Sequence, residues 1–472
     1  MKQFYKIFVL LVGLAATPGV QAQTTFTLEQ CIDYALKNAV DAQNAVLDER
    51  IAAARVKETV GLGLPQIAGS VSLQHNQQLQ RFFGLYNDSP DGFSFFPSGI
   101  PGAQNGDVLA AQNFFQLKSS GNAGVTINQL LFNGSYLVGL QAANAYKDLS
   151  VKTTTQTKEQ IVQNVSKAYY AVLINKERLG LFNSNIARVD SLLRNTKALY
   201  QNGFAEKIDA DRIQVTYNNI LVERDKFVNL NELSLVLLKF QMGYPIDQPL
   251  TVVGNIQELE VPAVATIGNQ DDYKLRPDYQ VLEANRRLQQ LNIKNKYAEG
   301  MPSLSAFANL GYATQSNNVS GLFKTNSNVE DLGAVGPDKW YSYSLFGVTL
   351  NVPIFSGMQR SYKVQQEKLT MQKIENGFVK LKHGIDLEVK QAVVNYENAL
   401  KTLAAQKENM ELASSIARVT KIKYEQGVGA NLEVVDAEDA LKQAQNNYYN
   451  ALYDAMVARV DLDKAYGKLS IK

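Results

Sequence analysis

The chain has a single cysteine in 472 residues, Cys31, so no internal disulfide can form. Histidine is almost as scarce. His75 and His383 are far apart, and neither has a cysteine or carboxylate cluster near it at metal-ligand spacing. There is no glycine-rich phosphate loop, no G-x-S-x-G elbow and no zinc-protease helix, so catalysis and cofactor binding have no residues to carry them. No charge of one sign dominates either: 47 basic against 45 acidic residues give a net +2, which makes no field for gathering nucleic acid. Beyond the N-terminal segment no apolar run reaches the ~20 residues of a spanning helix. Any place in a membrane must therefore be taken by strands. Proline is missing between Pro101 and Pro245, and again after Pro353. Both stretches are thus free to run as very long helices.

The first residues, MKQFYKIFVLLVGLAATPGVQAQ, combine Lys2 and Lys6, an apolar run from Ile7 to Ala16 and small residues at Val20 and Ala22. That is the pattern of an export signal cut before Gln23, spanning 1–22. Cys31 falls in the helical stretch LEQCIDYAL rather than beside the cut, so no lipid-anchor site is visible.

After the signal the chain says everything twice. Thr27-Leu-Glu-Gln30 is a capping box opening a helix whose pattern continues through Ala45, Ile51 and Val56 to the stop Gly61–Pro65. The period then changes from about 3.6 to 2, with Ile67, Val71 and Leu73 alternating with polar residues. Residues 78–120, which contain Phe82, Phe83, Phe93, Phe95, Phe96, Phe114 and Phe115, read as a long loop. A second strand, VTINQLLFNG at 125–134, leads into a helix of near-3.5 period from Ser135 to Gln201, about 100 Å long at 1.5 Å per residue. A return helix runs from Lys207 to Met242. In the second half a helix ends in Gly300-Met-Pro302, as the first ended in Gly63-Leu-Pro65, and VTLNVPIFSG at 348–357 repeats VTINQLLFNG.

The repeats span 23–245 and 276–472, with a Pro-containing linker or small added subdomain at 246–275 that holds the β-branched run TVV at 251–253, and strands are expected at 66–76, 121–131, 303–314 and 342–353. Trp340, Tyr341 and Tyr343 suit an interfacial aromatic girdle, or equally the edge of a soluble sheet. The helical hairpins turn at YQNGFAEKIDA (200–210) and YEQGVGANLEVVDA (424–437), where an offset of 224 places Gly203 on Gly427, Ile208 on Leu432 and Asp209 on Glu433. Four strands cannot close a barrel alone, and open edges are costly in lipid, so several chains must contribute.

This ordered set resembles the TolC-like outer-membrane efflux family over essentially the whole mature chain. The resemblance implies a mainly α fold with a membrane β-barrel: long antiparallel helical hairpins plus four transmembrane strands per chain, internally duplicated and completed as a homotrimer. It further implies a twelve-stranded barrel in outer-membrane lipid and an α-helical tunnel across the periplasm. A periplasmic adaptor (membrane fusion protein) and an inner-membrane pump would dock at its inner end, serving efflux or type I secretion. No enzyme activity or cofactor is implied.

By position from Tyr424 and Gly427, the family's gate acids fall on Glu433 and Asp436, one face of the last helix. The hairpin tips Gly203, Phe204, Gly427, Val428 and Gly429 are the expected adaptor contacts. Gly429 stands where well-studied members carry an arginine, so their closed-state latch does not transfer. Two plainer readings stay open: Glu433 and Asp436 as first-turn acids favoured by the helix dipole, and the whole chain as an exported coiled-coil adaptor or scaffold without a pore.

Overall fold

The computed structural model describes residues 24–89, 95–113, 116–254, 270–323 and 340–469. The export signal, residues 255–269 of the linker, residues 324–339 of the second loop, and Phe93, Phe114 and Phe115 lie outside the described residues.

Strand β1 (Thr24–Phe26) leads into α1 (Leu28–Asn38), whose first turn is closed by reciprocal Thr27 and Gln30 bonds. The expected continuous helix is broken here. Ala39 leaves helical geometry (φ −59°, ψ 135°) and α2 (Val40–Gly61) starts afresh. Alanine gives no sequence signal for such a break; a close approach by the chain at Gly243 accompanies it, with backbone atoms of Asn38 and Ala39 lying where a Cβ would stand.

Next come β2 (Gln66–His75), β3 (Arg81–Leu85), β4 (Val108–Gln112) and β5 (Ser119–Asn133). The long helices α3 (Gly134–Gln201) and α4 (Lys207–Met242) form the first hairpin. Strand β6 (Leu250–Val252), α5 (Pro277–Ala298), β7 (Ser303–Ser316) and β8 (Tyr341–Asn351) come after it, and α6 (Gln359–Glu425) and α7 (Asn431–Ala465) form the second hairpin. The stretch read as loop, 78–120, thus contains a paired β3 and β4. Phe82, Phe83 and Leu85 are apolar with little polar alternation, which hid the strand; Phe82 packs edge-on to Phe95, 5.1 Å between centroids. In the segment at 246–275 the β-branched run lies at β6, which pairs in parallel with β1.

The chain divides into two compact units. Residues 1–53, 145–288 and 370–472 form one, and 54–144 with 289–369 form the other. The first is helical. One of its cores gathers Cys31, Ala35, Val165, Val172, Leu238, Met242 and Met456. A second joins Phe182, Val189 and Leu193 of α3 to Ile213 and Ile220 of α4 and Val434 of α7, with Tyr424 packed against it. Burying each such side chain is worth roughly 1.5–3 kcal/mol relative to exposure, which holds the two hairpins together. Apolar residues also remain exposed at seven-residue steps: Ile208, Val215 and Val222 on α4, and Leu387 and Val394 on α6.

The second unit carries an antiparallel sheet in the order β2-β5-β7-β8. Row by row, one face is apolar: Ile67, Ile127, Ala308 and Phe346 stand opposite one another, as do Leu304 and Leu350. The other face is mostly polar, with Ala68, Thr126, Asn309 and Leu345 in one row and Ser72, Asn122, Ala313 and Tyr341 in another. Neither face is covered; every residue of β2 is exposed, and Phe346, Val348 and Leu350 are 69%, 64% and 62% exposed. β8 stops before Pro353, which has no N–H to give a ladder.

The aromatic girdle splits across this sheet. Tyr341 and Tyr343 lie on the polar face, where the Tyr343 hydroxyl crosses Gly311 and Gly124, leaving no space for a Cβ at either, and donates to Asn122 Oδ1 at 3.0 Å. Only Trp340 remains on the apolar side, over Gly121, with its indole N–H given to Leu322 O. Parity decides this: successive residues of a strand point to opposite faces.

Candidate functional site: the paired helical tips

Both hairpins turn by the same device. After α3, Gly203 takes φ +80° and Phe204 N–H bonds Leu199 O at 2.8 Å; after α6, Gly427 takes φ +74° and Val428 N–H bonds Lys423 O at 3.0 Å. A left-handed residue with a bond back over five residues is a Schellman cap, and glycine reaches that φ without a Cβ penalty. The residue after each glycine is apolar and bare: Phe204 is 81% exposed and Val428 78%.

Beyond the glycine the two tips differ. At α4 the Asp209 side chain accepts the N–H of the N-cap Glu206 at 3.3 Å, and Asp209 also lies 4.0 Å from Arg212. At α7 the N-cap is Ala430, which has no side chain to cap with. Glu433, in the place of Asp209, is exposed, as is Asp436 one turn on. Val434, Ala437, Glu438 and Leu441 form the buried face of α7, so the two acids share the opposite, open side. Gly429 is tightly seated, since a Cβ there would come within 3.1 Å of Lys423 Cβ and Tyr424 N. An arginine at this position would need the turn to shift.

Residues that the motifs did not single out tie the hairpins to each other. Asn431, buried at the start of α7, donates from Nδ2 to Asp209 O at 3.2 Å, which sets the starts of α4 and α7 side by side. Thr196 Oγ1 and Tyr424 Oη are 3.0 Å apart. Arg188 of α3 holds the buried Glu438 of α7 through Nη2–Oε2 at 3.1 Å and Nε–Oε1 at 3.4 Å, and Lys442 reaches Glu223 at 3.5 Å. Pairs separated by hundreds of residues leave no local spacing to read. The one available signal was the departure from the repeat at Asn431, whose counterpart is Lys207. Among the described residues no group of three His, Cys, Asp or Glu side chains converges as a metal site.

Comparison with known proteins agrees with this architecture. The family model for outer membrane efflux proteins matches residues 272–468. The outer membrane protein TolC of Vibrio cholerae is 22% identical over 74% of this chain and 77% of its own length. The toluene efflux pump outer membrane protein TtgC of Pseudomonas putida is 23% identical over 74% of this chain and 69% of its own. The open-state crystal structure of the Neisseria gonorrhoeae MtrE outer membrane channel superposes with a TM-score of 0.69 at 19% identity, covering 94% of this chain and 89% of that one. The fold of paired long hairpins and a four-stranded sheet is therefore that of the solved outer membrane channels, and over residues 272–468 this chain matches the outer membrane efflux proteins.

Proposed function

We propose that this chain is the outer-membrane exit duct of a tripartite pump, a passive conduit with no catalytic step. The observation that carries the reading is the uncovered sheet, apolar on one face and polar on the other, with both edge strands unpaired among the described residues. In water such a sheet has no reason to persist; in a membrane, lipid takes the apolar face, a water-filled lumen takes the polar face, and only closure removes the edges. Three copies contribute twelve strands to that barrel. The bare heptad steps on α4 and α6 become the seams of a helical tunnel reaching into the periplasm. A pore-free adaptor has no use for a sheet of this kind.

The duplicated repeats 23–245 and 276–472, joined by 246–275, supply the two hairpins per copy. Their tips carry the exposed apolar pair Phe204 and Val428, flanked by Gly203, Gly427 and Gly429, as the surface for a periplasmic adaptor linked to an inner-membrane pump. Glu433 and Asp436 line the mouth between the tips. Among the described residues neither is committed to a cap or an ion pair of its own chain, which supports a role toward the lumen over one in folding. Symmetry brings three copies of each carboxylate together, so the mouth favours cations and binds multivalent ones.

Planar-bilayer recording of the purified protein tests both parts. The parent conducts, with cation preference and block by trivalent cations, and Glu433→Ala with Asp436→Ala weakens both. Absence of any conductance overturns the duct. Conductance with selectivity and block unchanged in the double variant removes the two acids from the mouth and leaves the duct in place.

A further inference from the structure

The duplication holds a description of the contact between copies. Inside each repeat the strands pair in one register: Gln66 opposite Asn128 and Ile67 opposite Ile127 in the first, Ser303 opposite Asn351 and Leu304 opposite Leu350 in the second. The sequence matches Gly63-Leu-Pro65 to Gly300-Met-Pro302 and VTIN at 125–128 to VTLN at 348–351, and they give the same correspondence. β2 is thus the equivalent of β7, and β5 of β8, residue for residue.

The joint between the repeats lies within the chain, where β5 pairs with β7: Asn128 opposite Phe307, Ile127 opposite Ala308, Thr126 opposite Asn309. Its counterpart would join β8 to β2, the two free edges. Four strands are too few to close on themselves, so the β2 that meets β8 belongs to a second copy.

The strand ends show the same vacancy. Tyr136 lies over Gly63, and Arg360, one residue beyond the equivalent of Tyr136, lies over Gly300. On its other side Gly134 is covered by Met301, but its counterpart Gly357 has nothing within 4 Å, and Leu64, the counterpart of Met301, is 58% exposed. Leu131 and Phe132 are 53% and 43% exposed; their equivalents Ile354 and Phe355 are 95% and 82%.

We infer that β8 of one copy pairs antiparallel with β2 of the next in the register of the internal joint, with Asn351 opposite Ser70, Leu350 opposite Val71, Thr349 opposite Ser72 and Val348 opposite Leu73. Leu64 of the next copy then covers Gly357 and Phe355. The register keeps apolar residues beside apolar ones, whereas a slip of one residue would turn one strand inside out. It rests on the assembly proposed above, but it does not depend on the number of copies.

Disulfide trapping in the full-length protein, in isolated outer membranes, tests it. Directly opposite residues sit about 4.5–5.5 Å apart at Cα and diagonal ones about 7–8 Å, and a disulfide needs roughly 4.4–6.8 Å. Native Cys31 is fully buried, and single-cysteine controls read its background. Ser72→Cys with Thr349→Cys should give a reducible copy-to-copy ladder on oxidation. Ser70→Cys or Gln74→Cys with Thr349→Cys should give at least tenfold less. Preferred trapping by either displaced pair overturns the register. A native-mass oligomer in which no pair traps shows that these edges do not meet. A monomer by native mass instead overturns the assembly itself, and the register with it.

Discussion

Arg188 and Glu438 offer a sharp test of how the two hairpins are held, because the two ends of their ion pair are unequally buried. The Glu438 side chain is 7% exposed and that of Arg188 34%. Replacing Arg188 by methionine strands a carboxylate in the wall of α7. Breaking a buried pair in this way costs about 3–5 kcal/mol, and screening at the partly exposed arginine lowers the figure to about 2–3 kcal/mol. Replacing Glu438 by glutamine leaves an arginine that can rehydrate and still holds Asn185 Oδ1 at 2.6 Å, so about 1 kcal/mol is lost. Thermal melting of the detergent-solubilised protein should therefore rank parent above Glu438→Gln above Arg188→Met. Because the pair spans α3 and α7 close to Asp436, Arg188→Met should also raise resting conductance if the proposed mouth lies there. Equal losses from the two variants would refute the view of a buried carboxylate held by one arginine.

Burial and backbone geometry set two further outcomes. Burial pushes the Glu159 carboxyl above its ordinary 4.5, with Arg276 and Lys464 opposing; a raised folded value means stability is present below the ordinary value and lost as pH rises through the raised one. Glu159→Gln should accordingly melt no lower than the parent at pH 8, with any advantage gone below about pH 4.5. Gly427→Ala should lower the melting temperature, by about 1–2 kcal/mol equivalent, because φ is +74°, while Gly384→Ala, in open space within α6, should raise it by about 1 kcal/mol equivalent; matching signs for the two would contradict the cap geometry.

The long helices were legible because proline absence and a sustained near-3.5 period are properties of tens of residues at once. The strands of the four-stranded sheet were legible because one face is mostly apolar and the other mostly polar. What escaped was set by contacts between distant residues. The break at Ala39 accompanies a close approach at Gly243, and the β3 and β4 pair leans on Phe95 and Phe96 rather than on its own alternation. Composition groups Tyr341 and Tyr343 with Trp340 as a girdle, although their odd positions in a strand whose apolar residues are even already assign them to the polar face. Arg188 with Glu438 could not be read at all, since nothing near either residue in sequence names its partner.

At the site itself the informative residues are those where the two repeats disagree. A duplicated hairpin that served only as wall would keep the same turn twice, and Gly203 and Gly427 do so. The first tip then spends its acid on structure, through Glu206, Asp209 and Arg212. The second drops the cap at Ala430, removes the side chain at Gly429 where space is already tight, and buries Asn431 against the first tip. The result is a helix start fastened from behind by Asn431 and Glu438, with Glu433 and Asp436 left open in front. Losing a cap costs about 1 kcal/mol, and a turn that forgoes one while keeping two uncommitted carboxylates beside it is better explained by what passes the mouth than by folding. On the proposed reading the first hairpin is the brace, and the second carries the constriction.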